Sequence, residues 1–202
     1  MVTGLPTAHY AGRVKSPSVS EGTLPYYVVV FVRSITVLIT GLVITFTPGH
    51  TAQFGLVALG IFGIVNAVGL TLSAFGLNPG NLARGLHVWQ ALVSLVVGAL
   101  VLALNEAGMV LLLWAVVFWA LLVGTAEVVF GARLPGGHIL RRDWITQGAM
   151  TVLLAIIVLF TPADSVAVVG FLGAWAIVQG VYLAIAGFGL RLPPHPKDMS
   201  DE

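Results

Sequence analysis

Read for polarity alone, the chain is six long apolar runs separated by short polar turns. The runs cover about 26–46, 54–76, 86–104, 109–131, 145–160 and 166–189. Crossing the hydrocarbon of a bilayer takes roughly 20 helical residues, with a range of about 17–25. The fifth run reaches that length only by taking in Trp144 and its neighbours. Most runs are apolar all round rather than along one stripe, the pattern of a helix that faces lipid. The expected fold is therefore all-α and integral to a membrane, with six transmembrane helices arranged as three parallel-repeat helical hairpins. Residues 26–190 form the membrane domain, with hairpins at about 26–77, 84–132 and 143–190. Residues 1–25 and 191–202 read as polar tails. The run after Pro25 is too long for the h-region of a cleaved signal, so none is expected.

Two runs end alike, in "ITFTPGHT" (44–51) and "VLFTPADS" (158–165). Aligning Pro48, Asn105 and Pro162 gives two intervals of 57 residues. Seven residues earlier stand Gly41, Gly98 and Ala155; fifteen earlier stand Arg33, Gln90 and Gln147. On the return helices Gly69, Gly124 and Gly180 correspond, each followed after seven residues by Gly76, Gly131 and Gly187. Five residues before the first glycine of each pair stand Ile64, Trp119 and Trp175. Several registers agreeing together read as one hairpin written three times, with two or three residues trimmed from the later outer turns. Such copies enter the membrane from the same side, related by an axis along its normal. At each corner the proline stops the outgoing helix. Thr51, Glu106, Asp164 or Ser165 then caps the returning one.

Charge sharpens the picture. Only 8% of residues are charged, against roughly 25% in soluble domains, and the mean hydropathy is +1.01. A net charge of +1 gives no bulk field for nucleic acid. With no cysteine there is no disulfide, thiolate nucleophile or Cys-ligated metal. Metalloprotease, phosphate-loop, serine-hydrolase and EF-hand motifs are missing, so no catalytic residue, cofactor or metal is expected. The turns TPGHTAQ (47–53), NEAG (105–108) and TPADS (161–165) carry no Lys or Arg. The tails and remaining turns carry Arg13, Lys15, Arg84, Arg133, Arg141, Arg142, Arg191 and Lys197. Positive charge gathers on the cytoplasmic side, which places both termini there and the proline turns outside.

The pattern resembles the HdeD family of short-repeat membrane proteins, whose units are G…P…G…G hairpins with an aromatic near the middle of the second helix. The carriers are Gly41, Pro48, Gly69 and Gly76; then Gly98, Trp119, Gly124 and Gly131; then Pro162, Trp175, Gly180 and Gly187. Asn105 stands in place of a proline, Ala155 of a glycine and Ile64 of a tryptophan. The resemblance covers about residues 26–190. It implies a bacterial inner-membrane protein with a role in acid or general envelope stress, and supplies no catalytic residues.

Polar residues inside apolar spans are functional candidates by default. Arg33 lies roughly 10 Å into the first helix and Glu127 roughly 6 Å from the end of the fourth, at 1.5 Å per residue. With Gln90 and Gln147 they form a possible intramembrane polar layer. Three readings stand: both charges snorkel to the headgroups, Arg33 and Glu127 pair structurally, or the layer handles protons or ions. Asn66 and Gln179 suit hydrogen bonds between helices, and share no register in the alignment above. His50 and Asp164 are either turn chemistry or an external proton-responsive pair. Gly69, Gly124 and Gly180 are helix-packing candidates, through small-residue pairs such as Ala120/Gly124 and Ala176/Gly180. Trp89, Trp114, Trp144, Tyr26 and Tyr27 suit anchoring at the membrane interface, whereas Trp119 and Trp175 suit the core. The stretch "RLPGGHILRRDW" (133–144) either sets topology or grips anionic lipid or an acidic partner. Three functions follow: a non-enzymatic HdeD-like stress or scaffold protein, an accessory subunit of a larger membrane complex, or a small channel or transporter. The expected partners are membrane lipids, other membrane-protein subunits or a second copy, and not nucleic acid.

Overall fold

Six helices account for nearly all of the described residues. The structure, a computed structural model, describes residues 26–77 and 80–191. The tails read at 1–25 and 191–202 lie outside these residues, apart from Arg191. The helices are α1 (Tyr26–Phe46), α2 (Ala52–Phe75), α3 (Leu82–Ala103), α4 (Met109–Ala132), α5 (Ile139–Phe160) and α6 (Ser165–Arg191). All six are long and apolar enough to cross a membrane. No strand occurs among the described residues.

The corners follow from local chemistry. α1 stops at Phe46 and α5 at Phe160, each two residues before a proline. The threonine between bonds back to the helix: Thr47 Oγ1 donates to the Val43 carbonyl at 2.6 Å and Thr161 Oγ1 to the Ile157 carbonyl at 2.7 Å. Both bonds satisfy carbonyls that the ending helix leaves open. At the second corner Asn105 does this work, its Nδ2 donating to the Leu102 carbonyl at 2.7 Å. Thr51 caps α2 and Asp164 caps α6, whereas α4 starts at Gly108 without a side-chain cap. Glu106 therefore does not cap α4.

The opposite end has its own recurring turn. Asn81 caps α3 and His138 caps α5, each accepting from the N–H two residues on. Before them stand Gly80 (φ 88°) and Gly137 (φ 87°), in the left-handed region that favours glycine. Arg84 Nη1 reaches back to the Leu77 carbonyl at 3.4 Å, and Arg141 Nη1 to the Leu134 carbonyl at 3.3 Å. These clips explain why α5 begins at Ile139 rather than near 145. The charged stretch caps and starts the helix instead of preceding it.

The closest packing is of α1 on α6, α2 on α3 and α4 on α5. The helices joined by the outer turns, α1/α2, α3/α4 and α5/α6, pack more loosely, and α2, α4 and α6 meet at the centre. Small residues permit the close seams. A Cβ on Gly41 would stand 2.8 Å from the Ile177 nitrogen, one on Gly63 2.7 Å from the Ser94 carbonyl, and one on Gly124 2.8 Å from the Gly148 carbonyl. On the central axis Phe62, Trp119 and Trp175 meet edge to face, with centroids 5.2 to 6.1 Å apart. Edge-to-face packing is the favoured arrangement of aromatic quadrupoles.

Two expectations are corrected here. The outer turns between helices span 47–51, 104–108 and 161–164, so the second is not trimmed and the third is shorter by one residue. Counted from the start of each return helix, Phe62 and not Ile64 stands level with Trp119 and Trp175. By the same count Ala67, not Gly69, stands level with Gly124 and Gly180, and Asn66 is level with Gln179. The glycine-based alignment slips because α2 carries an extra glycine, Gly69, beside which a Cβ would meet nothing within 4 Å. Second, Trp144 is 4% exposed and Tyr26 9%. Both point inward from a helix end, where Trp144 Nε1 donates to Tyr26 Oη at 3.3 Å. Trp89 and Trp114 do face outward.

Candidate functional site

A buried polar cluster lies toward the arginine-bearing end, where side chains of α1, α3 and α4 meet. Glu127 on α4 is 1% exposed. Its Oε1 accepts from Arg33 Nη2 on α1 at 2.6 Å and from Gln90 Nε2 on α3 at 2.7 Å. This is the one ion pair found among the described residues. A buried charge is tolerable only when paired and hydrogen-bonded, and the helix pattern arranges both. Arg33, one turn in from Val30 and next to Ser34, is carried on the face of α1 that packs inward. Ser34 fixes that face by donating to the Gly180 carbonyl at 2.8 Å.

The node is under-satisfied. Glu127 Oε2 and Gln90 Oε1 are buried without a hydrogen-bond partner, as are His87 Nδ1, Trp175 Nε1 and Gln179 Oε1. His87 lies one helical turn before Gln90, is buried, and stacks on Tyr26 at 6.1 Å with planes 6° apart. Sequence reasoning missed His87. Its signal was its spacing of three residues from Gln90, which puts both on one helix face.

Gln147 does not join this node. Its Oε1 faces Gln179 Nε2 across a long 3.5 Å contact between α5 and α6. A second buried set lies deeper: Ser94 Oγ accepts from Asn66 Nδ2 and from Trp119 Nε1, both at 3.3 Å. Of the packing candidates, Gly124 and Gly180 stand in close seams. Gly69 instead lines a crevice of about 20 Å³ between α1 and α2, together with Arg33, Asn66 and Ser73. That volume suits one water molecule, and polar groups line it. At the proline end His50 Nε2 bonds the Ile44 carbonyl at 2.8 Å, while Asp164 spends its carboxylate on the N–H groups of α6. They do not form a pair.

Chemically, the arrangement is a lock between helices. One carboxylate oxygen of Glu127 on α4 accepts from both α1 and α3, and the second oxygen is buried without a hydrogen-bond partner. No group of three or more His, Asp or Glu side chains able to hold a metal occurs among the described residues. Comparison with family models, curated proteins and solved structures finds no match.

Proposed function

We propose that this chain is a non-enzymatic bacterial inner-membrane protein resembling the HdeD type, acting in envelope or acid stress through a bundle whose closure depends on Glu127. It is built from three copies of one two-helix unit, all inserted from the same side. Supporting the repeat are features of different kinds that recur together: the paired arginine clips, the threonine bonds before each proline and the central aromatic trio. Supporting a cytoplasmic location for both termini is the placement of Arg84, Arg133, Arg141, Arg142 and Arg191 at one end of the bundle.

The Glu127 node carries the functional reading. Its carboxylate joins the first unit, through Arg33, to the second. Protonation removes the charge that balances Arg33 and converts an acceptor into a donor. Titratable groups near it include Tyr26 on α1 and His87 on α3, with Asp143 on α5 close to Tyr26. Neutralising the carboxylate thus removes the tie between the first two units. The test compares wild type with Glu127→Gln in cells given an acid challenge, and follows bundle opening by hydrogen exchange of α1 at neutral and low pH. The wild type should open with acid and the variant should be open at both. Acid-insensitive exchange in the wild type, or unchanged survival of the variant, defeats the reading.

A second reading, a small proton or ion conductor, is favoured by one observation: the unpartnered acceptors Glu127 Oε2, Gln90 Oε1 and Gln179 Oε1. Flux into liposomes that is lost in Glu127→Gln decides for it.

A further inference from the structure

Because the tight seams lie between hairpins, the seam within a hairpin is left open to lipid. Two such seams form grooves of similar size at equivalent places. The groove between α3 and α4 is about 700 Å³, and the one between α5 and α6 about 740 Å³. Counted from the clipped turns, Gly85 of the first is level with Arg142 of the second, and Trp89 with Thr146. The α3/α4 groove is walled by Gly85, Trp89, Leu92, Leu122, Ala126 and Phe130, with no charge among its lining residues. The α5/α6 groove carries His138, Arg141, Arg142 and Asp143 at its head, with Tyr182 and Ile185 below.

Its charges are arranged for an external anion. Asp143 accepts from Tyr182 Oη at 3.1 Å, and Arg141 is held by the Leu134 carbonyl. Arg142 is exposed and makes no ion pair among the described residues. Below the head the same seam continues into an apolar furrow of about 210 Å³, lined by Met150, Leu153, Ile157, Phe171, Trp175 and Val178. Along α5, from Ile145 in the groove to Ile157 in the furrow, the seam runs roughly 18 Å at 1.5 Å per residue. One leaflet of hydrocarbon is about 15 Å thick. A cationic head over an apolar channel one leaflet long matches one occupant.

We propose that the α5/α6 seam is a binding site for an anionic glycerophospholipid of the surrounding leaflet. Its phosphate is held by Arg142 and Arg141, and one acyl chain lies along the furrow. An acidic segment of another protein would match the head but leave the furrow empty, so the lipid is favoured. Lipid capture does not depend on Glu127 or on any acid response.

The test is native mass spectrometry of the full chain, titrated with phosphatidylglycerol or phosphatidylcholine. Wild type should retain the anionic lipid preferentially. Arg142→Gln should lose that preference on the order of fivefold, and Arg141→Gln/Arg142→Gln further, as expected for basic residues at an anionic surface. Ala174→Trp, placed in the furrow, should weaken both lipids. Ala126→Trp, in the uncharged groove, should leave the anionic preference intact. Melting in phosphatidylcholine alone reports whether each variant is folded. Equal retention of both lipids by wild type overturns the site, and so does an equal loss of preference in Arg84→Gln at the equivalent turn.

Discussion

At the scale of single residues, the Arg33–Glu127 pair is the most consequential contact. Removing one member leaves the other charge buried, which costs about 3–5 kcal/mol in comparable buried pairs. Arg33→Leu should therefore lower folded yield and melting temperature in mild detergent, and Glu127→Gln, which leaves Arg33 without its counter-charge, should lower them too. Replacing both with apolar residues, Arg33→Leu with Glu127→Leu, should recover more than half of the loss, because lipid-soluble packing then replaces two desolvated charges. If Arg33→Leu melted like wild type, the pair would carry no stability. Arg33, Gln90 and Glu127 were legible because a charge or amide in an apolar run stands out. Their meeting was not, since depth is read from the sequence but the face of contact is not. The inward turn of Trp144 and Tyr26 was hidden for the same reason: position near a helix end says how deep a ring lies, not which way it points.

At the scale of helices, close seams depend on glycine where backbone faces backbone. A Cβ at Gly148 would stand 2.5 Å from the Gly124 carbonyl, and one at Gly124 would stand 2.8 Å from the Gly148 carbonyl. Gly148→Ala and Gly124→Ala should each push α4 from α5 and destabilise the bundle by about 1–3 kcal/mol, the usual cost of overpacking. Gly69→Ala is the contrast. Its Cβ meets open space, and alanine favours a helix interior over glycine by roughly 0.5–1 kcal/mol. Thermal unfolding in one detergent should rank Gly69→Ala at or above wild type and the other two below it. A loss at Gly69 equal to that at Gly124 would mean the seams are not what glycine serves. Six helices and their corners were legible from apolar length and Phe-Thr-Pro punctuation. The start of α5 was not, because hydropathy ends where charge begins while capping by His138 carries the helix through Arg141, Arg142 and Asp143. Gly69 misled the register of α2 because periodicity cannot tell a packing glycine from one that borders a crevice.

At the scale of the whole molecule, the turns sort by charge into two ends, and that sorting implies a direction in the membrane. Gln53 Nε2 donates to Asn105 Oδ1 at 3.2 Å, which joins the first two proline-end corners, while Trp144 and Tyr26 join α5 to α1 at the other end. Arg84, Arg133, Arg141, Arg142 and Arg191 all lie at that second end, and the proposed cytoplasmic placement of that end rests on the bias of positively charged loops against translocation. The chain has no cysteine, so a single introduced thiol reports on its own position. Ala163→Cys at a proline-end corner should react with a membrane-impermeant maleimide in intact spheroplasts. Gly136→Cys at the arginine end should react only after permeabilisation. The reverse labelling pattern would invert the molecule, move the Glu127 node toward the outer face and assign the anionic groove to the outer leaflet. Labelling of both sites in intact spheroplasts would mean mixed insertion, and the charge asymmetry would then not set direction. The expected one-sided result would also place the Glu127 node in the cytoplasmic half of the membrane, where a falling internal pH reaches it through the shorter path.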